Sequence, residues 1–143
     1  MTGNDFLRIL AVDLGDERTG LAFSDLSGTL AGETLVIEEW DENRLCDKIN
    51  ALLPARGVGA AVVGLPLNMD GSRGPRAEKA ERFAALLGER TGLPVSLWDE
   101  RRTTVEAHRI LAESGKNAKK RKKTVDAVAA ALILEGFLRT VSR

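Results

Sequence analysis

The stretch "ILAVDLGDERTG", Ile9 to Gly20, decides the fold. Four apolar residues, Ile9 to Val12, run directly into Asp13, and Gly15, Arg18, Thr19 and Gly20 follow within seven positions. A short apolar run bounded by turn residues reads as a buried strand. "LRILAVD", 7–13, is that strand, and "TGLAFS", 19–24, is a second one entered through a turn rich in Gly, Asp and Arg. A buried strand that ends on a carboxylate has two explanations. Asp13 starts a tight turn, or it stands at the mouth of a sheet and holds a metal ion.

The chain on either side supplies the context. "ETLVIE", 33–38, suits a third strand, so the first three form an antiparallel meander. Asp41 or Glu42 opens a helix carrying Leu45, Ile49, Leu52 and Leu53 at helical spacing. "GAAVVGLP", Gly59 to Pro66, has the continuous apolar character of a central strand covered on both faces. After the loop "LNMDGSRGP", Pro75 suits the first turn of a helix with Ala77, Ala80, Phe83, Ala84 and Leu87 on one stripe and Gly92 at its end. "PVSLWDE" is another strand, finishing in Asp99 and Glu100. "TVEAHRILAESG" reads as a helix, with Thr103 and Glu106 at capping-box spacing and Gly115 closing it. A final helix is expected from Val125 to about Val141. A meander followed by βα units predicts an α/β fold: a mixed five-stranded sheet with helices on both faces, formed by one domain over residues 1–143.

Composition narrows the function. The 143 residues suffice for one domain with a real core. No apolar run approaches the roughly 18 residues of a membrane span, and the first residues lack a charged-then-apolar leader pattern. The single cysteine, Cys46, excludes an internal disulfide framework. These features predict a soluble cytoplasmic protein that makes no use of a membrane. With one His and one Cys, a structural zinc site and a Ser-His-Asp or Cys-His nucleophile are both disfavoured. His108 reads as a surface helix residue and Cys46 as a packing residue. No tyrosine, four Phe and two Trp leave little material for a base-stacking platform.

The formal net charge is zero, yet its distribution is uneven. "KNAKKRKK", Lys116 to Lys123, holds six of the 21 basic residues and no acid, which leaves 15 basic residues against 21 acidic ones elsewhere. A Lys-rich run is ordinarily a solvated loop. This one leads straight into Asp126, the sole charge in "VDAVAAALIL". A helix apolar all round is a buried one, and a charge in it needs a partner. With Thr124 as its N-cap, Asp126 falls in the first turn, where the helix dipole tolerates an acid.

Each carboxylate taken singly has a bland explanation: Asp13 as a turn former, Asp99 as a cap, Glu100 as a surface residue beside Arg101 and Arg102. Taken together they have a chemical one. In an open α/β sheet the ligand crevice lies beyond the C-terminal ends of the strands, so distant strands can deliver Asp13 and Glu100 to one place. Converging carboxylates repel unless a hard cation takes their charge, and carboxylates with water and phosphate oxygens are the usual Mg²⁺ surroundings. Acids for metal beside cations for phosphate is the charge logic of a nuclease. Asp99 stays an alternative to Glu100, because neighbouring strand residues face opposite sides.

Four blocks in order, "AVDLGDERTGLAFSD", "VVGLPLNMDGSRGPRA", "WDERRTTVEA" and "DAVAAALILEGFL", give the sequence a resemblance to the YqgF family of ribonuclease H-like proteins. That family is described both as Holliday junction resolvases and as pre-16S rRNA nucleases. The resemblance covers nearly the whole chain and implies a ribonuclease H-like fold and a nuclease dependent on Mg²⁺ or Mn²⁺. It implies Asp13, Glu100 and Asp126 as catalytic, metal-binding acids. The expected nucleic-acid contacts are Arg18, Asn68, Ser72, Arg73, Arg101, Lys119, Lys120, Arg121, Lys122 and Lys123. The implied substrate is structured RNA, namely pre-16S rRNA, with branched DNA as the alternative. The ribosome or its small subunit is a candidate partner, and the chain is expected to be a monomer or a homodimer. Two further readings belong to other classes. "DLGDERTG" also looks like the first phosphate loop of the actin and sugar-kinase superfamily, and the basic run alone would suit a non-catalytic RNA-binding ribosome-assembly factor.

Overall fold

The computed structural model describes residues 7–28, 30–102 and 118–141, with side chains from residue 126 onward in the last of these segments. Its elements in chain order are β1 (Arg8–Asp13), β2 (Arg18–Ser24), β3 (Ala31–Glu38), α1 (Glu42–Arg56), β4 (Val58–Leu65), α2 (Pro75–Thr91), β5 (Val95–Asp99), a single 3₁₀ turn (Glu100–Arg102) and α3 (Ala118–Thr140). The five strands form one sheet in the order β3-β2-β1-β4-β5. β1 and β2 pair antiparallel, as do β2 and β3, whereas β4 runs parallel to both β1 and β5. The expected meander and the expected βα crossovers are both present.

Strand alternation sorts the core into two layers. Leu10 and Val12 of β1, Leu21 and Phe23 of β2, and Ala61 and Val63 of β4 point to one face. There they meet Leu45, Cys46, Ile49 and Leu53 of α1 and Ala80, Phe83, Ala84 and Leu87 of α2. Ala11, Ala22, Val62 and Trp98 point to the other face and meet Ala130, Ile133, Leu134 and Leu138 of α3. Residues two apart share a face, so both layers follow from the period of each strand. Helices therefore cover both faces. The N-terminus of α1 is capped by Asp41, whose Oδ1 accepts from the Arg44 amide at 3.0 Å, and α2 starts on Pro75 and closes at Gly92.

Three details differ from the sequence reading. The basic run does not form a loop up to Lys123: residues from Ala118 onward already belong to α3. Ala, Lys and Arg are strong helix formers and need no buried face to be helical. Thr124 is therefore inside the helix and not its cap, and Asp126 lies past the second turn, away from the positive end of the dipole. Finally, α3 is fully buried on one stripe only, at Ala130, Ile133, Leu134 and Leu138, while the described residues between them are partly exposed. The helix expected over residues 104–115, its capping box at Thr103 and Glu106, and His108 lie outside the described residues.

Candidate active site

β1, β4 and β5 are parallel, so their C-terminal ends share one edge of the sheet. The antiparallel β2 brings its first residue, Arg18, to that edge, where it pairs with Glu38 at the end of β3. Asp13 continues the alternation of Ala11 and faces the α3 side, and Gly64 continues that of Val62 one strand over. Glu100 is the first residue past β5, in the 3₁₀ turn rather than in the strand. It bends back over β4: a Cβ at Gly64 would lie 2.7 Å from Glu100 Oε2 and 2.7 Å from the Ile133 methyl. The glycine leaves room for the Glu100 carboxylate and the Ile133 methyl beside β4.

Asp126 arrives from α3. The backbone of α3 rests on β2 at Gly20, where a Cβ would collide with the Asp126 carbonyl. This close approach brings Asp126 to the sheet edge, and its Oδ2 lies 3.5 Å from Arg18 Nε.

Charge links the three acids. Burial, then the charges of Glu100 and Asp126, push the Asp13 carboxyl up to about 7 from 3.8, with Arg76 opposing. Burial likewise raises Glu100, against the pull of Arg76. Asp99 behaves in the opposite way. Its hydrogen bonds from Arg101, at 2.7 to 3.1 Å, hold its carboxyl below the ordinary range. Glu100, not Asp99, thus faces Asp13.

The donor set is all carboxylate oxygen, which is the chemistry of a hard divalent cation. Among the described residues no three such side chains already surround one point, consistent with Asp126 being turned to Arg18. Asp13 and Glu100 form the pair that fits a cation of the Mg²⁺ type, which commonly takes one or two carboxylates and completes its shell with water and phosphate oxygens.

The expected nucleic-acid contacts separate into groups. Arg18 stands at the acids. Asn68 and Ser72 are used to shape the loop between β4 and α2: Asn68 Nδ2 donates to Ser72 Oγ at 2.9 Å, and Ser72 Oγ donates to Asp70 at 2.6 Å. Arg101 braces the same loop through the Met69 carbonyl at 3.3 Å, besides pairing with Asp99. Arg73 turns to Glu81 at 3.5 Å. Lys119, Lys120, Arg121, Lys122 and Lys123 occupy α3 one to two turns before Asp126.

Two cations were not expected at this place. Arg76 and Lys79 of α2 line a small cleft of about 20 Å³ together with Leu14, Asp16, Gly64, Pro66 and Glu100. Lys79 bonds Asp16 at 2.8 Å, while Arg76 acts on Asp13 and Glu100 through its charge. The signal was available: Arg76 directly follows the proline that opens the helix after β4.

The sheet order, with β2 antiparallel between β1 and β3 and with β4 and β5 parallel to β1, is that of a ribonuclease H-like fold. Two solved structures have it: the RuvC of Thermus thermophilus in complex with a Holliday junction substrate, TM-score 0.58 at 14% identity over 94% of this chain and 96% of that one, and the fowlpox virus resolvase with its junction DNA, TM-score 0.57 at 11% identity over 96% and 100%. The profile of the RuvX family, described as Holliday junction resolvase, matches residues 7–140. The chain belongs to this RuvX (YqgF) family and is a nuclease. Relatives named "Putative pre-16S rRNA nuclease" come from Pelotomaculum thermopropionicum, 44% identical over 96% of this chain and 90% of the relative, and Halothermothrix orenii, 45% identical over 92% and 94%. No helix among the described residues is long and apolar enough to cross a membrane.

Proposed function

We propose that this nuclease hydrolyses phosphodiester bonds in structured RNA, as a single domain that trims the 5′ end of pre-16S rRNA on the assembling small subunit. Asp13, Glu100 and Asp126 are its working acids, and Mg²⁺ or Mn²⁺ its cofactor. The observation that carries this reading is 44% identity over 96% of the chain to a relative named "Putative pre-16S rRNA nuclease". The Asp13 carboxyl, raised to about 7 at the end of the central strand by burial and by the charges of Glu100 and Asp126, fits it. Such repulsion costs stability, and a divalent cation relieves it. Asp13 and Glu100 would hold the cation, which would supply Lewis acidity toward a phosphate oxygen.

The chain's own residues do the rest. Asp13 and Glu100 set where the cation would sit at the sheet edge, and so where a reacting phosphate is drawn. Arg76 offsets part of their charge, so an anionic backbone can approach. Asp126 holds the Arg18 guanidinium at 3.5 Å, aimed along the same edge. The cations at 119–123 grip flanking phosphates.

The test is cleavage of precursor 16S rRNA by purified protein with and without Mg²⁺ or Mn²⁺. Asp13→Asn should reduce the rate at least about a hundredfold while the fold is retained. Cleavage by this variant at the wild-type rate removes Asp13 from the mechanism. The description of the family profile favours a second reading, resolution of four-way DNA junctions. It requires a two-fold dimer with two sites facing one junction, and a junction run beside the RNA decides between the two.

A further inference from the structure

The two tryptophans have opposite fates. Trp98 is spent in the core, 6% exposed, with Arg102 stacked 4.2 Å above its ring. Trp40 is 75% exposed. It directly precedes the helix cap Asp41, the position from which an apolar side chain can staple onto the fourth residue of the helix. That residue, Leu45, is buried without it. The fold makes little use of the Trp40 ring.

Its surroundings suggest another use. Trp40 lines a cavity of about 310 Å³ with Glu17, Arg18, Glu38 and Glu39. The Glu39 amide donates to the Glu17 carbonyl at 2.8 Å and ties the Trp40 segment to the turn before β2. Arg18 belongs both to this cavity and to the acid cluster, through Asp126. β3, which delivers Trp40, lies two strand spacings from β1, about 10 Å. The cavity is therefore one or two nucleotides from Asp13. Glu39 is already paired with Lys48 at 2.9 Å and Arg44 at 3.4 Å, but the acidic wall still disfavours a phosphate more than a base, whose amino groups a carboxylate can accept from.

We infer that this cavity is a subsite for one unpaired nucleobase, stacked on Trp40, beside the bond to be cut. The inference rests on the nuclease reading of the acid cluster and deepens it. Substrates with an unpaired nucleotide next to the cleavage point are selected over continuous duplex, because a paired base must first be unpaired and unstacked to reach the ring. Arg18 links the two places and holds the nucleotide between them.

The experiment is binding without divalent cation, so that affinity is read apart from cleavage. The probes are a short duplex with a single-stranded overhang and the same duplex blunt-ended, each as RNA and as DNA. The overhang should bind roughly 5- to 100-fold tighter than the blunt form and quench tryptophan fluorescence. Trp40→Ala should abolish both effects without changing the melting temperature, and Trp40→Phe should restore part of the affinity. The backbone type that shows the preference identifies the natural source of the base. Equal affinity for overhang and blunt probes, or a preference that survives in Trp40→Ala, overturns the subsite whatever the cleavage assay gives. Loss of cleavage dependence on Asp13 with the preference intact overturns only the nuclease assignment of the acids.

Discussion

Asp13 is where residue chemistry and stability meet. Its carboxyl has a value near 7 in the folded chain against 3.8 for a free side chain. Between those values the folded state holds a proton that the unfolded state has lost. Folding stability therefore falls as pH rises from about 4 to about 7, and stays low above that range. At about 1.36 kcal/mol per pH unit the full effect is on the order of 4 kcal/mol. Melting temperature measured from pH 4 to pH 8 should show the decline in the wild type, a flatter profile in Asp13→Asn, and a flatter profile with added Mg²⁺. Parallel profiles in wild type and variant mean that the carboxyl is not strained. The neighbouring acids show how one position changes behaviour: Glu100 is raised by burial, while Asp99 is lowered by Arg101.

At the level of elements, the site depends on how closely α3 lies on the sheet. Gly20 lets the helix backbone touch β2 at Asp126, and Gly136 lets it lie on Trp98, where a Cβ would come 2.6 Å from the ring. Gly20→Ala has no room for its methyl and must lift α3. The expected cost is about 1–3 kcal/mol, with a loss of cleavage greater than that stability loss explains, because Asp126 moves off the sheet edge. Thermal melting and cleavage rates on the same samples check this, and a rate loss no larger than the unfolded fraction counts against it. The loop between β4 and α2 works differently. Its polar residues bond one another and Arg101, so Asn68 and Ser72 act by giving the loop one shape.

For the molecule as a whole, charge distribution matters more than total charge. The sum is zero, but the basic run is concentrated in 116–123 and an excess of acid is spread over the rest. On the proposed reading, this distribution directs a nucleic acid to the basic run. Binding of RNA should weaken with salt at a slope of about −0.7 per phosphate neutralised on a single strand. Neutralising Lys119, Lys120, Arg121, Lys122 and Lys123 together should flatten that slope by the number of phosphates they hold. An unchanged slope in a titration over salt concentration shows that the run does not touch phosphate.

Much of this protein was legible in its sequence. The strands, their apolar faces, the helix starts at Asp41 and Pro75 and the acids at strand ends are local features, fixed by period, turn chemistry and capping over a few residues. The pairing of the first three strands as a meander followed from their short connections, while the place of β4 and β5 beside β1 came from the structure. Other features depend on residues far apart in the chain, and only the tertiary structure decided them. Glu100 rather than Asp99 faces Asp13 because the chain turns back over Gly64 just after β5. Asp126 meets Arg18 because Gly20 admits a helix that begins a hundred residues later. Arg76 joins the acids, and Trp40 stays outside the core beside Arg18, through packing that no local pattern encodes. Local pattern states which face a residue prefers; which neighbours it finds there is set by close approach between distant segments.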